Sequence, residues 1–357
     1  MADIHRINFE PVDIEMEVGE DENILDAAFR QGIHLMHGCR EGRCSACKSY
    51  LLDGEIQMEN YSTFACNDAE EEEGYVLLCR SYAYSDCTIE LLNFDEDELL
   101  GGIPIQTVRT EVVALEPMTP DIVSLRLRAV EPETFEFKPG QYADLHIPGG
   151  DEHRSFSMAT TQSTPGQVEF LIKKYPGGKF AGLLDSTMKV GDALSLTGPY
   201  GSFTIKDGHV LPVVCVGGGA GMAPILSLLR HMSETANTRP VHFYYGARTA
   251  RDLFYVNEIL ELGTQLKDFT FVACLSAATD DAVLDDAVSG SILPESVTVE
   301  QGNVTDVVDR RESELGKSEV YLCGPPPMVD AALALLDANG VPKDQVFYDK
   351  FTSPAFD

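Results

Sequence analysis

The stretch HGCREGRCSAC, residues 37–47, places three of the nine cysteines of the chain within nine positions. A fourth cysteine follows in VLLCRSY, residues 76–82. The spacing C-x4-C-x2-C with a distant fourth cysteine is typical of plant-type [2Fe–2S] centres, in which two irons need four thiolates and one tight loop supplies three. The sequence therefore predicts a two-iron cluster with these ligands: Cys39, Cys44, Cys47 and Cys79.

Two other uses of cysteine fit this pattern less well. A disulfide framework belongs to small secreted domains. This chain has 357 residues, an odd cysteine count and a charged N-terminus, MADIHRINFE, where a signal peptide carries an apolar core. Zinc takes paired C-x2-C units or adds histidines. Gly38 and Gly42 instead let the loop fold closely around a cluster, with backbone N–H groups directed at sulfur.

Two further cysteines, Cys66 and Cys87, are predicted to be buried thiols that bind no metal, because a free cysteine most often packs as a small hydrophobe. Cys66 lies between the third and fourth predicted ligands, so it remains an alternative fourth ligand in an unusual domain. Cys87 lies in the alternating run DCTIELL, which predicts a strand.

The chain is strongly acidic, with 26 basic and 58 acidic residues and a net charge of −32. Such a charge argues against nucleic acid and anionic membranes as partners. The first 100 residues hold 6 basic and 24 acidic side chains, with acidic runs at Glu70 to Glu73 and Asp95 to Glu98. Each run alone is most simply a solvated face, but their concentration in the cysteine-rich part favours docking to a basic protein as a hypothesis.

One uncharged stretch of 19 residues, LPVVCVGGGAGMAPILSLL at positions 211–229, has the length of a membrane span. Its glycines and Pro224 interrupt the middle, whereas a spanning helix needs about 20 continuous apolar residues. We therefore predict a strand, a phosphate-binding loop and a helix here. For the whole chain we predict a soluble, cytoplasmic, monomeric protein.

Composition shifts divide the chain into three predicted domains. Residues 93–104, NFDEDELLGGIP, are acidic, then glycine-rich, then stopped by proline, which is typical of a linker. Short alternating runs such as TEVVALEPM and IVSLRLRAV predict an antiparallel barrel downstream. From residue 211 strands alternate with helices, which predicts a parallel sheet. The predicted domains are 1–100, 105–207 and 208–357.

Four short motifs predict nucleotide binding, although each alone is a weak signal. RSFSMAT, residues 154–160, has an arginine that can pair with a phosphate and an aromatic that can lie against a ring system. IKKYPGGKF, residues 172–180, has two glycines at a predicted helix start, whose amides can receive a pyrophosphate. VGGGAGMAP, residues 216–224, joins a strand to a helix, with Met222 in place of the third glycine of G-x-G-x-x-G. In YLCGPPPM, Cys323 lies at a strand end, where doubly wound sheets bind ligands.

Taken in order, RSFS, GGGAGMAP and CGPPPM resemble the ferredoxin–NADP⁺ reductase superfamily. Together with CREGRCSAC and the fourth cysteine, the whole chain resembles the iron–sulfur flavoprotein reductases that serve bacterial oxygenases. EEEEGYVLLCRSY and FYDKF resemble in particular the reductase components of soluble di-iron monooxygenases, of the methane, propane, alkene and phenol type. The resemblance implies a β-grasp-like ferredoxin domain, an antiparallel flavin-binding β-barrel and a doubly wound parallel α/β nucleotide domain.

The resemblance also implies a role for each matching position. Arg154 would bind the FAD pyrophosphate, Phe156 would stack near the flavin ring and Ser157 would face its reactive nitrogen. Phe156 stands where a tyrosine is more usual, and Ala181 where a serine is. The other implied FAD positions are Gly177 and Gly178 at the phosphates and Phe351 over the flavin. The implied nucleotide positions are Gly217, Gly219 and Gly221 at the phosphates and Cys323 and Gly324 near the nicotinamide. Ser157 and Cys323 would be the catalytic pair.

Electron counting then predicts the function. NADH gives two electrons as a hydride, a [2Fe–2S] cluster takes one, and FAD can accept the pair and release singles, so FAD must lie between them. The expectation is an NADH-dependent reductase that delivers electrons through the cluster to the hydroxylase of a soluble di-iron monooxygenase. The alternatives are the reductase of an aromatic-ring (Rieske) dioxygenase and that of a sugar-nucleotide reducing system. A redox sensor would need a DNA-binding region and a different charge.

NADH is favoured over NADPH. Asp252, in YGARTARDLFY, can accept hydrogen bonds from a ribose diol, as acidic residues do in NAD sites. Arg248 and Arg251 oppose this choice, because an arginine can bind a 2′-phosphate. The resemblance decides for NADH.

Overall fold

The structure is a computed structural model, and it describes residues 3–150, 152–206, 208–277 and 293–351. The chain forms two compact units. The first comprises Met1–Gln106 with Pro199–Ser202, and the second comprises Thr107–Gly198 with Phe203–Asp357.

The first unit is a mixed sheet covered by a short helix. Its elements are β1 (Ile4–Glu10), β2 (Ile14–Gly19), α1 (Ile24–Arg30), β3 (Lys48–Asp53), β4 (Ile56–Met58), α2 (Asp68–Glu73), β5 (Tyr75–Leu77), β6 (Ser81–Ala83), β7 (Cys87–Glu90) and α3 (Glu96–Gly101). The strand order is β2-β1-β7-β3-β5, and β4 pairs with β6. β1 and β7 run parallel, whereas the other pairs are antiparallel. This is the predicted β-grasp-like arrangement.

Alternation and capping explain these elements. In β1 the buried residues Ile7 and Phe9 are two apart, so they share the core face of the strand. α1 begins after Asn23, whose side chain accepts the Asp26 backbone N–H at 2.9 Å. Its apolar residues pack with Ile7 and Phe9 into one core.

The segment predicted to be a linker is instead partly folded. Residues Glu96–Gly101 form α3, and Leu99 is buried in the core of the first unit. The His34 backbone N–H donates to the Leu99 carbonyl at 2.9 Å. The acidic and glycine-rich composition indicated a solvated linker. Burial of the Leu99 side chain nevertheless packs this helical turn against the core of the first unit.

The first part of the second unit is an antiparallel sheet that almost closes. Its elements are β8 (Gln106–Pro117), β9 (Ile122–Glu131), β10 (Tyr142–His146), β11 (His153–Ser157), β12 (Gln167–Lys173), α4 (Lys179–Ser186) and β13 (Ala193–Tyr200). The strand order is β11-β10-β13-β8-β9-β12. A bridge between Met158 and Phe170 joins the two edges, so the predicted barrel is confirmed. Its interior is apolar, with Leu125, Leu127 and Phe170 at its centre.

The second part is a parallel sheet with helices on both faces. Its elements are β14 (Val213–Gly218), α5 (Met222–Glu234), β15 (Val241–Ala247), α6 (Val256–Gly263), β16 (Phe269–Leu275), β17 (Thr298–Gln301), α7 (Val304–Arg311), β18 (Glu319–Gly324), α8 (Pro326–Ala338) and β19 (Val346–Lys350). The order β17-β16-β15-β14-β18-β19 reverses direction between β14 and β18. Ligands bind at the carboxyl ends of strands at such a switch point. The topology therefore predicts a nucleotide site at the carboxyl ends of β14 and β18.

Residues 211–229 form β14, a tight turn and the start of α5, as predicted from their glycines. Cys215 packs toward one face of the sheet and Val214 toward the other, because side chains alternate along a strand. Among the helices of the described residues, none is long and apolar enough to cross a membrane.

Candidate cofactor and cluster sites

The four predicted cluster ligands lie together in the first unit. Cys47 Sγ and Cys79 Sγ are 3.4 Å apart, and the Cys39 backbone N–H donates to Cys44 Sγ at 3.2 Å. Cys44, Cys47 and Cys79 are buried, and Cys39 is partly exposed. The thiols therefore form two neighbouring pairs rather than one foursome.

The loop directs backbone donors at sulfur. The N–H groups of Glu41 and Arg43 both donate to Cys39 Sγ at 3.3 Å. The hydrogen bond with the Cys44 thiol and these two N–H groups lower the pKa of Cys39 to about 6. In turn, the same contact raises the pKa of Cys44. A lowered pKa favours the thiolate, and the thiolate is the form of cysteine that binds metal.

Glycine permits this loop geometry. Gly42 has φ of +70°, and a Cβ there would lie 2.9 Å from the Tyr61 Cβ. A Cβ on Gly38 would lie 2.9 Å from Cys44 Sγ. A side chain at either position would clash, so both positions require glycine. This agrees with the tightly folded loop that was inferred from the sequence.

The donor set fits a two-iron cluster. Within the described residues, no group of three or more His, Cys, Asp or Glu side chains converges to hold a single metal ion. Zinc needs four ligands around one point, whereas a two-iron cluster takes two thiolates on each iron. Two pairs of thiols therefore suit iron and sulfide better than zinc.

The remaining cysteines of the first unit are buried, in agreement with the sequence, and their lack of a metal role stays a prediction. Cys66 and Cys87 are both buried in its apolar core. The Cys66 thiol lies 3.7 Å from the Tyr75 carbonyl, and the Cys87 thiol lies 3.3 Å from the Ser85 carbonyl. Burial raises the pKa of each thiol.

His37, which the sequence analysis did not single out, is a neutral buried imidazole. Its Nε2 accepts the Gly201 backbone N–H at 2.7 Å, and its Nδ1 lies 2.8 Å from the Leu35 carbonyl. Because Nε2 accepts, the proton belongs on Nδ1. Burial lowers the pKa of His37 to about 4. Its position two residues before Cys39 was the available signal.

The two predicted FAD phosphate motifs are brought together in the barrel. On β11, the Arg154 guanidinium donates to the His153 carbonyl at 2.7 Å and lies 3.9 Å from a Glu152 carboxylate oxygen. Lys179, the first residue of α4, pairs with the same carboxylate. Gly178 caps α4 without a side chain, and Gly177 has φ of +76° with no described residue within 4 Å of its Cβ position. Two cations and a helix N-terminus thus face one region.

The predicted catalytic residues converge at the ends of β11 and β18. Ser157 Oγ donates to Asp349 Oδ2 at 3.0 Å. Asp349 lies in β19, in register with the buried Cys323 of β18. The Phe351 N–H donates to the Gly324 carbonyl at 3.2 Å. Phe156 packs its ring 5.0 Å from that of Phe180.

Asp349 is the residue of this group that the sequence analysis missed. Burial raises its pKa to about 6, although the Ser157 hydrogen bond opposes the shift. Burial also raises the pKa of Cys323, so this thiol stays protonated. The signal was a single carboxylate inside the apolar run VFYDKF.

The glycines of the β14–α5 turn have different steric roles. A Cβ on Gly221 would lie 2.3 Å from the Cys323 carbonyl oxygen, and one on Gly217 would lie 3.3 Å from the Phe243 ring. Gly219 has φ of +56°, and no described residue lies within 4 Å of its Cβ position. Packing thus requires Gly221, whereas Gly219 leaves room for a ligand.

Asp252 lies apart from these groups. Its Oδ2 accepts both the N–H and the hydroxyl of Thr249 at 2.9 Å, which forms a local cap. A ribose contact at Asp252 therefore stays a prediction. A cleft of 470 Å³ elsewhere in the second unit is lined by Arg126, Glu169, Arg230 and Tyr255, among others, and by none of the predicted cofactor residues.

Comparison with known domain families agrees with this geometry. The chain matches the 2Fe-2S iron-sulfur cluster binding domain over residues 7–84, the oxidoreductase FAD-binding domain over 109–205 and the oxidoreductase NAD-binding domain over 215–333. These three domains define an iron–sulfur flavoprotein oxidoreductase that uses FAD, NAD and a [2Fe–2S] cluster.

Full-length relatives narrow the class. The propane 2-monooxygenase reductase component of Rhodococcus jostii (strain RHA1) is 77% identical over 357 residues, which is 100% of this chain and 94% of the relative. The toluate 1,2-dioxygenase electron transfer component of Pseudomonas putida is 32% identical over 95% of each chain. The structure of an Amycolatopsis cytochrome P450 reductase shares the fold, with a TM-score of 0.81, 24% identity and coverage of 98% of this chain and 99% of that one. The chain belongs to the family of propane 2-monooxygenase reductase components.

We expect Cys44→Ser to abolish the cluster while FAD content and NADH-driven ferricyanide reduction persist, because the hydride chemistry uses the second unit. Iron content and visible absorbance would report the loss. Cys66→Ala is the matched control and should keep its iron. Loss of iron in the control would remove Cys79 as the fourth ligand, and loss of ferricyanide reduction in Cys44→Ser would contradict the division of labour.

The raised pKa of Asp349 predicts a pH-dependent stability. Between pH of about 4 and about 6 the folded protein holds this proton and the unfolded chain does not, so the free energy of unfolding falls as pH rises through this window. Asp349→Asn cannot ionise and escapes that loss. Urea unfolding at pH 4.5 and 7.5 should therefore show that the free energy of unfolding of the variant rises relative to that of the wild type as pH rises. A difference in this free energy that is the same at both pH values would refute a raised pKa for Asp349.

Proposed function

We propose that this chain oxidises NADH and delivers the electrons singly to the hydroxylase of a di-iron monooxygenase that acts on propane. When bound, FAD accepts a hydride and releases single electrons, and the [2Fe–2S] cluster carries them one at a time. The observation that carries the proposal is the Ser157–Asp349 hydrogen bond, because it joins the flavin-type strand β11 to β19 of the nucleotide-type sheet, beside the switch-point strand β18.

The residues of this junction have separable roles in the proposal. Ser157 and Asp349 would hold a proton position for the flavin, since a carboxyl with a pKa of about 6 changes charge near neutral pH. Cys323 is fully buried and protonated, so it shapes the nicotinamide pocket and does not act as a nucleophile. Phe351, whose backbone is tied to Gly324, would exclude water from the flavin face.

The phosphate sites follow from charge and open space. Arg154 and Lys179 share Glu152 as an ion-pair partner, and an FAD pyrophosphate would compete for both cations. Gly177 and Gly178 present backbone amides at the start of α4 to the same phosphates. On the nucleotide side, Gly219 offers the space for the NADH phosphates. Gly217 and Gly221 allow the close packing that places the turn there.

The three predicted domains, 1–100, 105–207 and 208–357, are retained in the proposal, with α3 added to the first. The matched family ranges all lie inside them. All nine cysteines lie in the described part of the chain and are free thiols there, and a cytoplasmic location is kept as part of the proposal. The monomeric state remains a prediction.

The dioxygenase alternative rests on relatives near 32% identity, against 77% for the monooxygenase reductases, so the monooxygenase partner is better supported. No observation favours a sugar-nucleotide system.

The first test is nucleotide use. We expect NADH to reduce the bound flavin and to support ferricyanide turnover with a higher kcat/KM than NADPH, since Asp252 suits a free ribose diol. Steady-state kinetics with both nucleotides gives the comparison. A preference for NADPH would make Arg248 or Arg251 a 2′-phosphate site and would sink the NADH assignment.

The acidic run near the cluster loop is the proposed docking surface for the hydroxylase. Two of its members have structural duties: Glu70 caps α2 and pairs with Lys48 at 2.7 Å, and Glu71 accepts the Tyr61 hydroxyl at 2.6 Å. Glu72 and Glu73 are exposed, and they are the side chains to change without disturbing the fold.

We expect Glu72→Lys with Glu73→Lys to slow reduction of the hydroxylase severalfold at low salt and to flatten its salt dependence, because steering by exposed charges is screened over about 10 Å at 0.1 M salt. Stopped-flow mixing with the hydroxylase gives both quantities. Asp337→Lys with Asp344→Lys, two exposed acids of the second unit, makes the same change in net charge and should have little effect. Equal effects of the two pairs would show that only net charge matters and would defeat the docking proposal.

A further inference from the structure

The helix that follows the nucleotide turn is fastened to the barrel by one polar face. Ser227, Arg230 and Glu234 of α5 are spaced i, i+3 and i+7, so they lie on the same side of the helix. Ser227 is fully buried, accepts the Gly140 N–H at 3.1 Å and donates to the Thr160 carbonyl at 2.6 Å. At the far end of the helix, Glu234 accepts the Thr161 hydroxyl at 2.7 Å.

Arg230 joins three elements at once. It donates to the Ala159 carbonyl of the barrel at 2.7 Å and lies 3.3 Å from a carboxylate oxygen of Glu169 on β12. Its Nε donates to Glu258 of α6 at 2.7 Å. A planar guanidinium with several fixed donors suits such a junction better than a lysine would.

Glu169 is the partner on the barrel. It is only 4% exposed, and it accepts the Ser124 hydroxyl at 2.6 Å and the Tyr255 hydroxyl. A buried carboxylate is unfavourable unless it is paired and hydrogen-bonded, so these donors must stay in place. We name Glu169, Ser124, Arg230 and Tyr255 the Glu169 cluster.

Tyr255 is held in a strained conformation. It immediately precedes α6 with φ of +58°, a left-handed backbone that is unfavourable for a residue other than glycine. Such strain persists only where the surroundings impose it. Its hydroxyl spans 86 positions of sequence to reach Glu169. The loop that carries Asp252 is thereby anchored to the barrel.

We propose that the Glu169 cluster is a positioning device that sets where α5 and the loop before α6 sit against the flavin barrel, and hence how NADH meets the flavin. The inference rests on the proposed function. Hydride transfer demands close, aligned reacting atoms, and a misplacement of about 1 Å can slow such a step by about 100-fold. The phosphate turn is the N-terminal end of α5, so a shift of this helix moves the nucleotide.

The test compares Tyr255→Phe, which removes one hydroxyl and keeps the ring, with Arg230→Lys, which keeps the charge. Rapid mixing of the full-length flavoprotein with NADH gives the limiting rate of flavin reduction and the Kd for NADH, and 4-deuterated NADH gives the isotope effect. We expect Tyr255→Phe to lower the limiting rate about tenfold, to change Kd by less than about twofold and to raise the isotope effect. Arg230→Lys, which keeps the charge but loses the guanidinium that reaches three elements, should lower the limiting rate at least as much.

Hydrogen exchange gives a readout that needs no turnover. In Tyr255→Phe, backbone amides of residues 159–169 and 253–259 should exchange faster, while those of β15 stay protected. Tyr244→Phe is the matched control, because it also removes a tyrosine hydroxyl that donates to a carboxylate, here that of Glu312, and Tyr244 packs on the face of the parallel sheet opposite α5. It should change neither the rate nor the exchange.

Three outcomes would overturn the proposal: an unchanged limiting rate, a rise in Kd with the rate unchanged, or a fall in melting temperature without any change in rate per bound flavin. Failure of NADH to reduce the wild-type flavin would instead refute the proposed function. In that case faster exchange in Tyr255→Phe but not in Tyr244→Phe would still establish that the Glu169 cluster anchors this loop, and equal exchange in the two variants would refute it.

Discussion

The hydrogen bond between Ser157 and Asp349 is the contact on which the arrangement of the second unit depends. It links the last residue of β11 to β19, 192 positions later, at the place where the parallel sheet reverses its strand order. A carboxyl group buried there is unfavourable when charged, and the hydroxyl offsets part of that penalty. Cys323 and the Gly324–Phe351 backbone bond surround the same point. Together with the polar contacts of α5, this pair aligns the barrel with the parallel sheet.

The cluster loop, in contrast, is shaped mainly by the backbone conformation of residues close together in the sequence. Three cysteines within nine positions can meet only if the backbone turns sharply, and Arg40, Gly42 and Ser45 all adopt positive φ. In this turn the backbone N–H groups of Glu41 and Arg43 donate hydrogen bonds to Cys39 Sγ. The loop thus supplies backbone N–H donors to the sulfur of a predicted cluster ligand, which is how a protein orients and stabilises such a centre.

Sequence reasoning succeeded where the signal was local. The cysteine spacing, the glycine turn before α5 and the alternating strands each depend on residues a few positions apart, and they predicted the three folds. It failed where contacts join distant segments. No local pattern marks Asp349, His37 or the Glu169 cluster, because their hydrogen-bond partners lie far away in the sequence. α3 was mistaken for a linker because composition does not reveal that Leu99 reaches the core. The steric difference between Gly219 and Gly221 likewise appears only when β18 lies beneath the turn.

The short helix α2 has a consequence for the heat resistance of the protein. It ends in Glu72 and Glu73 and has no basic residue in its last turn, although the C-terminal end of a helix carries partial negative charge and favours cations. Two carboxylates at this end therefore oppose the stability of their own helix. Neutral or basic side chains there would stabilise the helix, so the stability of α2 and an acidic surface at its end favour opposite residues.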